Sequence, residues 1–209
     1  SMKNKTCTYN DPTLKAYMNE IGQFPLLDRA EEISLAQKVQ AGDDKACETL
    51  VNANLRLVVK VAGNFTGMGL DLADLISEGN LGLMAAAKRF DPERGVRFST
   101  YAVHWIKQRI RRALSNQGRT IRLPVGVIAE GAQLRRAESA LGEQLQREPS
   151  ASEIADETGF AAEKVSRLRE LPSACISLDA PPNETDQDLS LSEIIADENS
   201  SMPHDALSE

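Results

Sequence analysis

Cysteine is scarce and shows no pairing pattern: Cys7, Cys47 and Cys175 are odd in number, far apart and in no CxxC pair. That excludes a disulfide framework and a zinc site and fits reduced thiols in the cytoplasm. No stretch approaches the roughly 18 apolar residues that a membrane span needs, and the N-terminus lacks the order of a signal peptide. There are only two histidines, no glycine-rich phosphate loop, and no Ser, His and Asp order with supporting residues. An enzyme is therefore not expected, nor any metal or cofactor. Aromatics make up 4% of the chain, with one tryptophan. What remains is ordinary globular composition, 41% hydrophobic and 26% charged over 209 residues, enough for a core without cross-links.

The charge is unevenly distributed. The net charge of −7 hides a central block from Arg94 to Ala129 with eight bases and no acid: Arg94, Arg97, Lys107, Arg109, Arg111, Arg112, Arg119 and Arg122. From Ser173 to Glu209 the pattern reverses, with nine acids and no Lys or Arg. A basic block inside an acidic chain is what a localised nucleic-acid contact requires, although a solvated face would look the same.

Every long periodic segment reads as helix and none as an alternating strand, so the fold class is all-α. Asp11 and Pro12 open a first helix that Gly22 and Pro25 stop, and Asp28 opens a second, with Ile33, Leu35, Ala36 and Val39 inward, that ends at Gly42. The wide apolar stripe of Leu50, Leu55, Leu57, Val58 and Val61 predicts one continuous helix from Asp44 to Phe65, broken by Gly67 and Gly69. Asp71 caps a helix over residues 72–89, Asp91, Pro92 and Gly95 form a turn, and Ser99 caps the next. A helix over residues 127–146 follows Pro124, and Ser150 to Leu171 reads as two short helices around Thr158-Gly159, a helix-turn-helix spacing. After Pro172 the chain reads as irregular.

On a helical wheel Tyr101–Leu114 separates into two halves. Ala102, Val103, Ile106, Ile110, Ala113 and Leu114 form a core face. Tyr101, His104, Trp105, Lys107, Gln108, Arg111 and Arg112 form the other, so the aromatics lie with the bases. Phe90, Phe98, Tyr101 and Trp105 fall within sixteen positions, in a chain poor in aromatics. Rings interleaved with cations suit single-stranded nucleic acid, because bases stack on the rings while cations follow the phosphates.

These residues spell a longer pattern. Asp74-Leu-Ile-Ser-Glu-Gly-Asn-Leu-Gly-Leu-Met84, Arg89-Phe-Asp-Pro-Glu-Arg-Gly-Val-Arg-Phe-Ser-Thr-Tyr-Ala102 and Trp105-Ile-Lys-Gln108 closely resemble the core of the bacterial sigma-70 family of initiation factors. Asp11–Ile21 resembles region 1.2 of that family, Asn54–Val58 the opening of region 2, and Arg119–Pro124 the join to region 3. Arg147-Glu-Pro149 with the helix-turn-helix resembles region 3 itself, and Ile176–Pro181 with the acidic tail resembles the linker called region 3.2, or sigma finger.

The resemblance implies three parts: residues 10–118 for regions 1.2 and 2, residues 119–172 for region 3, and residues 173–209 for the linker. It implies a cytoplasmic, non-enzymatic factor whose partners are core RNA polymerase, through the clamp coiled coil of its β′ subunit, and the non-template strand of the promoter minus-ten element. An anti-sigma protein is a further partner class that comes with the family. Asp74, Leu75, Glu78, Asn80 and Met84 are then the polymerase contacts. Phe90, Arg94 and Tyr101 match the pocket for the flipped second-position adenine, and Asn54, Leu57 and Ser99 the pocket for the last thymine. Trp105 and Gln108 belong at the upstream edge of the melted segment, with Arg111, Arg112, Arg119 and Arg122 on backbone phosphates. Glu184, Asp186 and Asp188 are the finger residues.

Departures from the family pattern matter too. His104 replaces the first of two adjacent tryptophans usual in primary factors, and Ser77 replaces a glutamine. With no acidic region 1.1 ahead of Asp11, these point to an alternative factor, and the lack of region 4 to a fragment. Two other classes remain open: a repressor using the helix-turn-helix, whose mixed charge suits phosphate poorly, and a protein that only sequesters polymerase or a regulator.

Overall fold

The computed structural model describes residues 12–171, 175–182 and 190–195. Among these the secondary structure is helical throughout. The helices are α1 Pro12–Gly22, α2 Arg29–Gln40, α3 Asp44–Asn52, α4 Leu55–Ala62, α5 Leu72–Arg89, α6 Phe98–Gln117, α7 Val125–Leu145, α8 Ala151–Thr158, α9 Ala162–Glu170 and α10 Leu191–Ile194. Short 3-10 turns at Gly63–Phe65 and Pro92–Arg94 complete the set. The chain falls into two units, Ser1–Leu168 and Arg169–Glu209.

The first unit contains two separate hydrophobic cores. The larger is built by α1 to α6, with Leu50, Val58, Leu75, Leu83, Phe98, Ile106 and Ile110 all fully buried. Burial of each such side chain favours folding by about 1.5–3 kcal/mol over exposure. The smaller joins α7, α8 and α9 through Leu134, Ile154 and Val165.

Side-chain caps explain the starts of α2, α3 and α8. Asp28 accepts from the Glu31 N–H at 2.7 Å while the Glu31 carboxylate accepts from the Asp28 N–H at 2.9 Å, a capping box. Asp43 caps α3 through the Lys45 and Ala46 N–H groups. Ser150 and Glu153 form a second capping box at α8, and Gly159 ends that helix at φ +73°, in the left-handed region where glycine is favoured.

Asp71 stands at the N-cap of α5 but its side chain makes no cap bond, and three further expectations are corrected. The helix predicted over residues 44–65 is broken at Ala53 and Asn54, where the Asn54 amide donates to the Leu50 carbonyl at 2.8 Å and the chain turns before α4. An apolar stripe that continues across the turn conceals it. Second, Ser99 does not cap α6: the helix begins at Phe98, and its N-cap Arg97 makes no side-chain cap bond. The Glu32 carboxylate of α2 reaches the Phe98 N–H instead, at 3.4 Å. Third, Ile33, expected inward, is 36% exposed, whereas Glu32 is only 5% exposed. The buried carboxylate turns the face of α2 toward Arg97.

The closest helix contact is between α5 and α6. A Cβ at Gly79 would lie 2.5 Å from Val58 Cγ1 of α4, and against α6 one at Gly82 would lie 2.9 Å from the Trp105 carbonyl oxygen. Only glycine allows the backbones to approach this closely.

In the second unit the Leu191 N–H donates to the Ala180 carbonyl at 3.1 Å and the Ser192 N–H to the Leu178 carbonyl at 3.0 Å. Asp11 and the finger residues Glu184, Asp186 and Asp188 lie outside the described residues.

Candidate nucleic-acid interface

The interface centres on α6. Its buried residues are Phe98, Ala102, Ile106, Ile110 and Ala113, so the apolar half of the wheel faces the larger core. His104, Gln108, Arg111 and Arg112 are exposed, and Tyr101, Trp105 and Lys107 are half-buried at the margin.

The aromatic side chains are placed in a row. Phe90 meets Phe98 edge-on with centroids 5.2 Å apart, lies 5.8 Å from Tyr101, and Tyr101 lies 6.1 Å from Trp105. These spacings are favourable for ring pairs. Phe90 is only 5% exposed, so it forms the floor of the row and Tyr101 and Trp105 its open part. The Tyr101 hydroxyl donates to the Arg89 carbonyl at 3.5 Å, and the Arg89 guanidinium lies over the Trp105 ring at 4.9 Å. Arg89 was not among the residues expected to contact DNA. Its position next to Phe90 and its charge were visible in the sequence, but the turn that folds it back over α6 was not.

Arg94 is exposed in the turn between Phe90 and Phe98 and pairs with Asp91 at 3.2 Å. The turn carrying it is held from α2 at three points: Arg29 donates to the Gly95 carbonyl at 3.1 Å, Gln40 to the Phe90 carbonyl at 3.4 Å, and Glu32 binds Arg97. Ser99 sits half-buried in the first turn of α6, and Asn54 and Leu57 lie half-buried at the start of α4. Farther along, Arg111 approaches the Phe65 ring at 6.0 Å, and Arg122 donates to both the main-chain and side-chain oxygens of Asn116 at 3.0 Å. Arg119 follows Gly118 beyond the end of α6.

An open cleft of about 400 Å³ runs between α5 and α6, lined by Leu81, Gly82, Ala85, Arg89, Trp105, Gln108, Arg109 and Arg112. Trp105, Gln108 and Arg112 are thus brought together, with two further guanidinium groups beside them. Arg109 sat at the seam of the helical wheel and belonged to neither half. The structure pairs its Nε with Glu78 Oε2 at 3.3 Å.

On the outer edge of α5, Asp74 is exposed, Met84 is 41% exposed and Leu81 is 43% exposed. Leu75, expected among the contact residues there, is fully buried in the core and supports the helix from beneath. Asn80 is half-buried, its amide donating to the Tyr17 hydroxyl at 3.1 Å, while its buried Oδ1 has no hydrogen-bond partner. Away from the site, burial raises the Cys47 thiol of α3 above its ordinary pKa, which disfavours a thiolate. No described helix is long and apolar enough to cross a membrane.

Comparison with known proteins places this geometry. The sequence matches the family profiles "Sigma-70 factor, region 1.2" over residues 13–45, "Sigma-70 region 2" over residues 50–120 and "Sigma-70 region 3" over residues 130–207. The chain belongs to the sigma-70 family. It is 42% identical over 201 residues to the RNA polymerase sigma factor RpoS of Coxiella burnetii, covering 96% of this chain and 56% of that protein. It is 43% identical over 196 residues to the RNA polymerase sigma factor SigA of Listeria monocytogenes, covering 94% of this chain and 52% of that protein. The chain therefore spans about half the length of the curated sigma factors it matches. In sigma-70 terms, α1 and α2 fall in the region 1.2 match, α4 to α6 in region 2, and α8 and α9 in region 3.

Proposed function

We propose that the protein is a transcription initiation factor that binds core RNA polymerase, recognises the promoter minus-ten element and holds the melted non-template strand by capturing its bases. The observation that carries this reading is the row of Phe90, Tyr101 and Trp105 on the margin of α6, with Arg89 over the indole. Aromatic faces can accept bases only after they leave the duplex, so binding energy is gained in the melted state alone. Melting then follows from differential affinity and needs no nucleotide hydrolysis.

In this reading Phe90, Arg94 and Tyr101 receive the second-position adenine and Asn54, Leu57 and Ser99 the last thymine. Trp105 and Gln108 stand at the upstream edge, and Arg111, Arg112, Arg119 and Arg122 serve the phosphates. The outer edge of α5, with Asp74 and Met84 exposed and Glu78 and Asn80 half-buried, docks on the β′ clamp coiled coil, and residues 173–209 act as the finger. His104, exposed next to Trp105, supports an alternative rather than a primary factor.

The test is fluorescence anisotropy of a labelled minus-ten non-template oligonucleotide with this chain and core polymerase. Tight binding that is lost when the second-position adenine is replaced supports base capture. Equal binding of both oligonucleotides removes it.

A further inference from the structure

Glu78 sits at a specific electrostatic position. The cleft between α5 and α6 is bordered by the guanidinium groups of Arg89, Arg109 and Arg112, carried on two helices. Among the described residues, neither Arg89 nor Arg112 forms an ion pair. Next to it lies a smaller depression of about 150 Å³, lined in part by Glu78, Arg109, Arg112 and Asn116. Arg109 and Arg112 line both spaces, and among the described residues Glu78 supplies the only carboxylate lining either of them.

From this arrangement we infer that the cleft is a phosphodiester-binding site and that Glu78 is its built-in competitor, occupying Arg109 until a DNA phosphate displaces it. The inference rests on the reading of α6 as the DNA-facing helix and adds the control of that surface. Guanidinium groups match phosphate oxygens in a planar, two-bond geometry, and a carboxylate takes the same edge of the same group. The two anions therefore compete for the Nε edge of Arg109.

The strength of the pair determines the kind of control. The Arg109 side chain is 44% exposed and that of Glu78 24%, and the separation of 3.3 Å is moderate. An ion pair this accessible to water is weak and readily exchanged, so Glu78 lowers affinity without closing the site. Removing its charge frees one more cation for the DNA backbone. Salt dependence then steepens by about one phosphate's worth, a slope change of roughly 0.9 on duplex DNA.

The experiment uses the 209-residue chain without polymerase and a fluorescein-labelled DNA duplex lacking a minus-ten sequence, titrated between 50 and 200 mM salt. Glu78→Gln should bind the duplex about two- to five-fold more tightly at the low-salt end, with a salt slope steeper by about one unit. Arg109→Gln should bind more weakly than the parent, and Glu78→Gln combined with Arg109→Gln should behave like Arg109→Gln alone. A gain from Glu78→Gln that persists in the Arg109→Gln background marks a general charge effect and overturns the inference. So does an unchanged affinity, or a duplex that none of the proteins binds. None of these results bears on base capture, which is decided by adenine replacement in the polymerase complex.

Discussion

Glu32 and Arg97 form a two-bond ion pair between α2 and the start of α6, with distances of 3.0 and 2.8 Å. The same carboxylate accepts from the Phe98 N–H, so a residue from one end of the chain closes the N-terminus of a helix more than sixty positions later. Arg97 is held above its ordinary pKa by that hydrogen bond and the adjacent charge. A negative group at a helix N-terminus also complements the helix dipole.

Glu32→Ala therefore removes a cap as well as an ion-pair partner. Loss of a helix cap costs roughly 1 kcal/mol. The midpoint of chemical unfolding should fall, and protection of the first-turn amides of α6 against hydrogen exchange should fall with it. Glu32→Gln should retain part of the cap and lie between the two. An Ala variant with parental amide protection at Phe98 would show that the helix is capped by other means.

Gly82→Ala should destabilise the protein even though alanine favours helix by about 1 kcal/mol over glycine. The new methyl would meet the Trp105 carbonyl at 2.9 Å and Ile106 Cα at 3.0 Å, backbone atoms that cannot rotate aside. Overpacking of this kind costs typically about 1–3 kcal/mol, which outweighs the gain in propensity. Thermal unfolding measures the sign directly, and a raised midpoint would contradict the close approach of α5 and α6.

Trp105→Ala should weaken binding of the minus-ten single strand in the polymerase complex by about 5- to 150-fold, the equivalent of a stacked base worth roughly 1–3 kcal/mol. Trp105→Phe should retain most of the affinity, because a ring face remains. Tyr101→Ala should reduce promoter opening while leaving polymerase affinity intact. Promoter melting at the parental rate by Tyr101→Ala would remove that residue from the pocket.

Met84→Asp, placing a charge on an exposed apolar side chain of α5, should lower affinity for core polymerase at least several-fold without altering the melting temperature, since burial against a partner disfavours an unpaired charge. Pull-down against core polymerase and a thermal scan together separate a lost contact from a lost fold. Retained affinity would place the docking face elsewhere.

The start of α8 carries a pH signature. The Arg147 guanidinium, followed by the Ser150 N–H, lowers the Glu153 carboxyl to about 2. A carboxylate bound more tightly when ionised contributes stability that is fully present above its unfolded pKa of about 4.3 and lost as pH falls through the folded value near 2. An NMR titration of Glu153 should give a midpoint near the lower value, and Glu153→Gln should remove that part of the acid dependence from α8. A midpoint near 4.3 would show that the pair does not form in solution.

The sequence revealed some of these features more readily than others. The two faces of α6 were legible because a 3.6-residue period survives inspection of fourteen residues, and Ala102, Ile106 and Ile110 are indeed buried. The helix pair at α8 and α9 was legible from Thr158-Gly159. What escaped depends on partners distant in sequence. Glu32 looked like one more surface acid until Arg97 came to meet it, and Arg109 was ambiguous until Glu78 of α5 lay opposite. Leu75 was placed with its polar neighbours because the motif lists them together, whereas helical rotation puts it in the core.

The glycine at 82 has a mechanical consequence. With the Trp105 carbonyl of α6 seated against Gly82 of α5, the two helices are in direct backbone contact at that point. Met84 lies two positions from Gly82, so the outer edge of α5 has a short packed path to Trp105. The distance between what grips one side of the pair and what grips the other is set like the gauge of a railway, by the frame and not by either wheel.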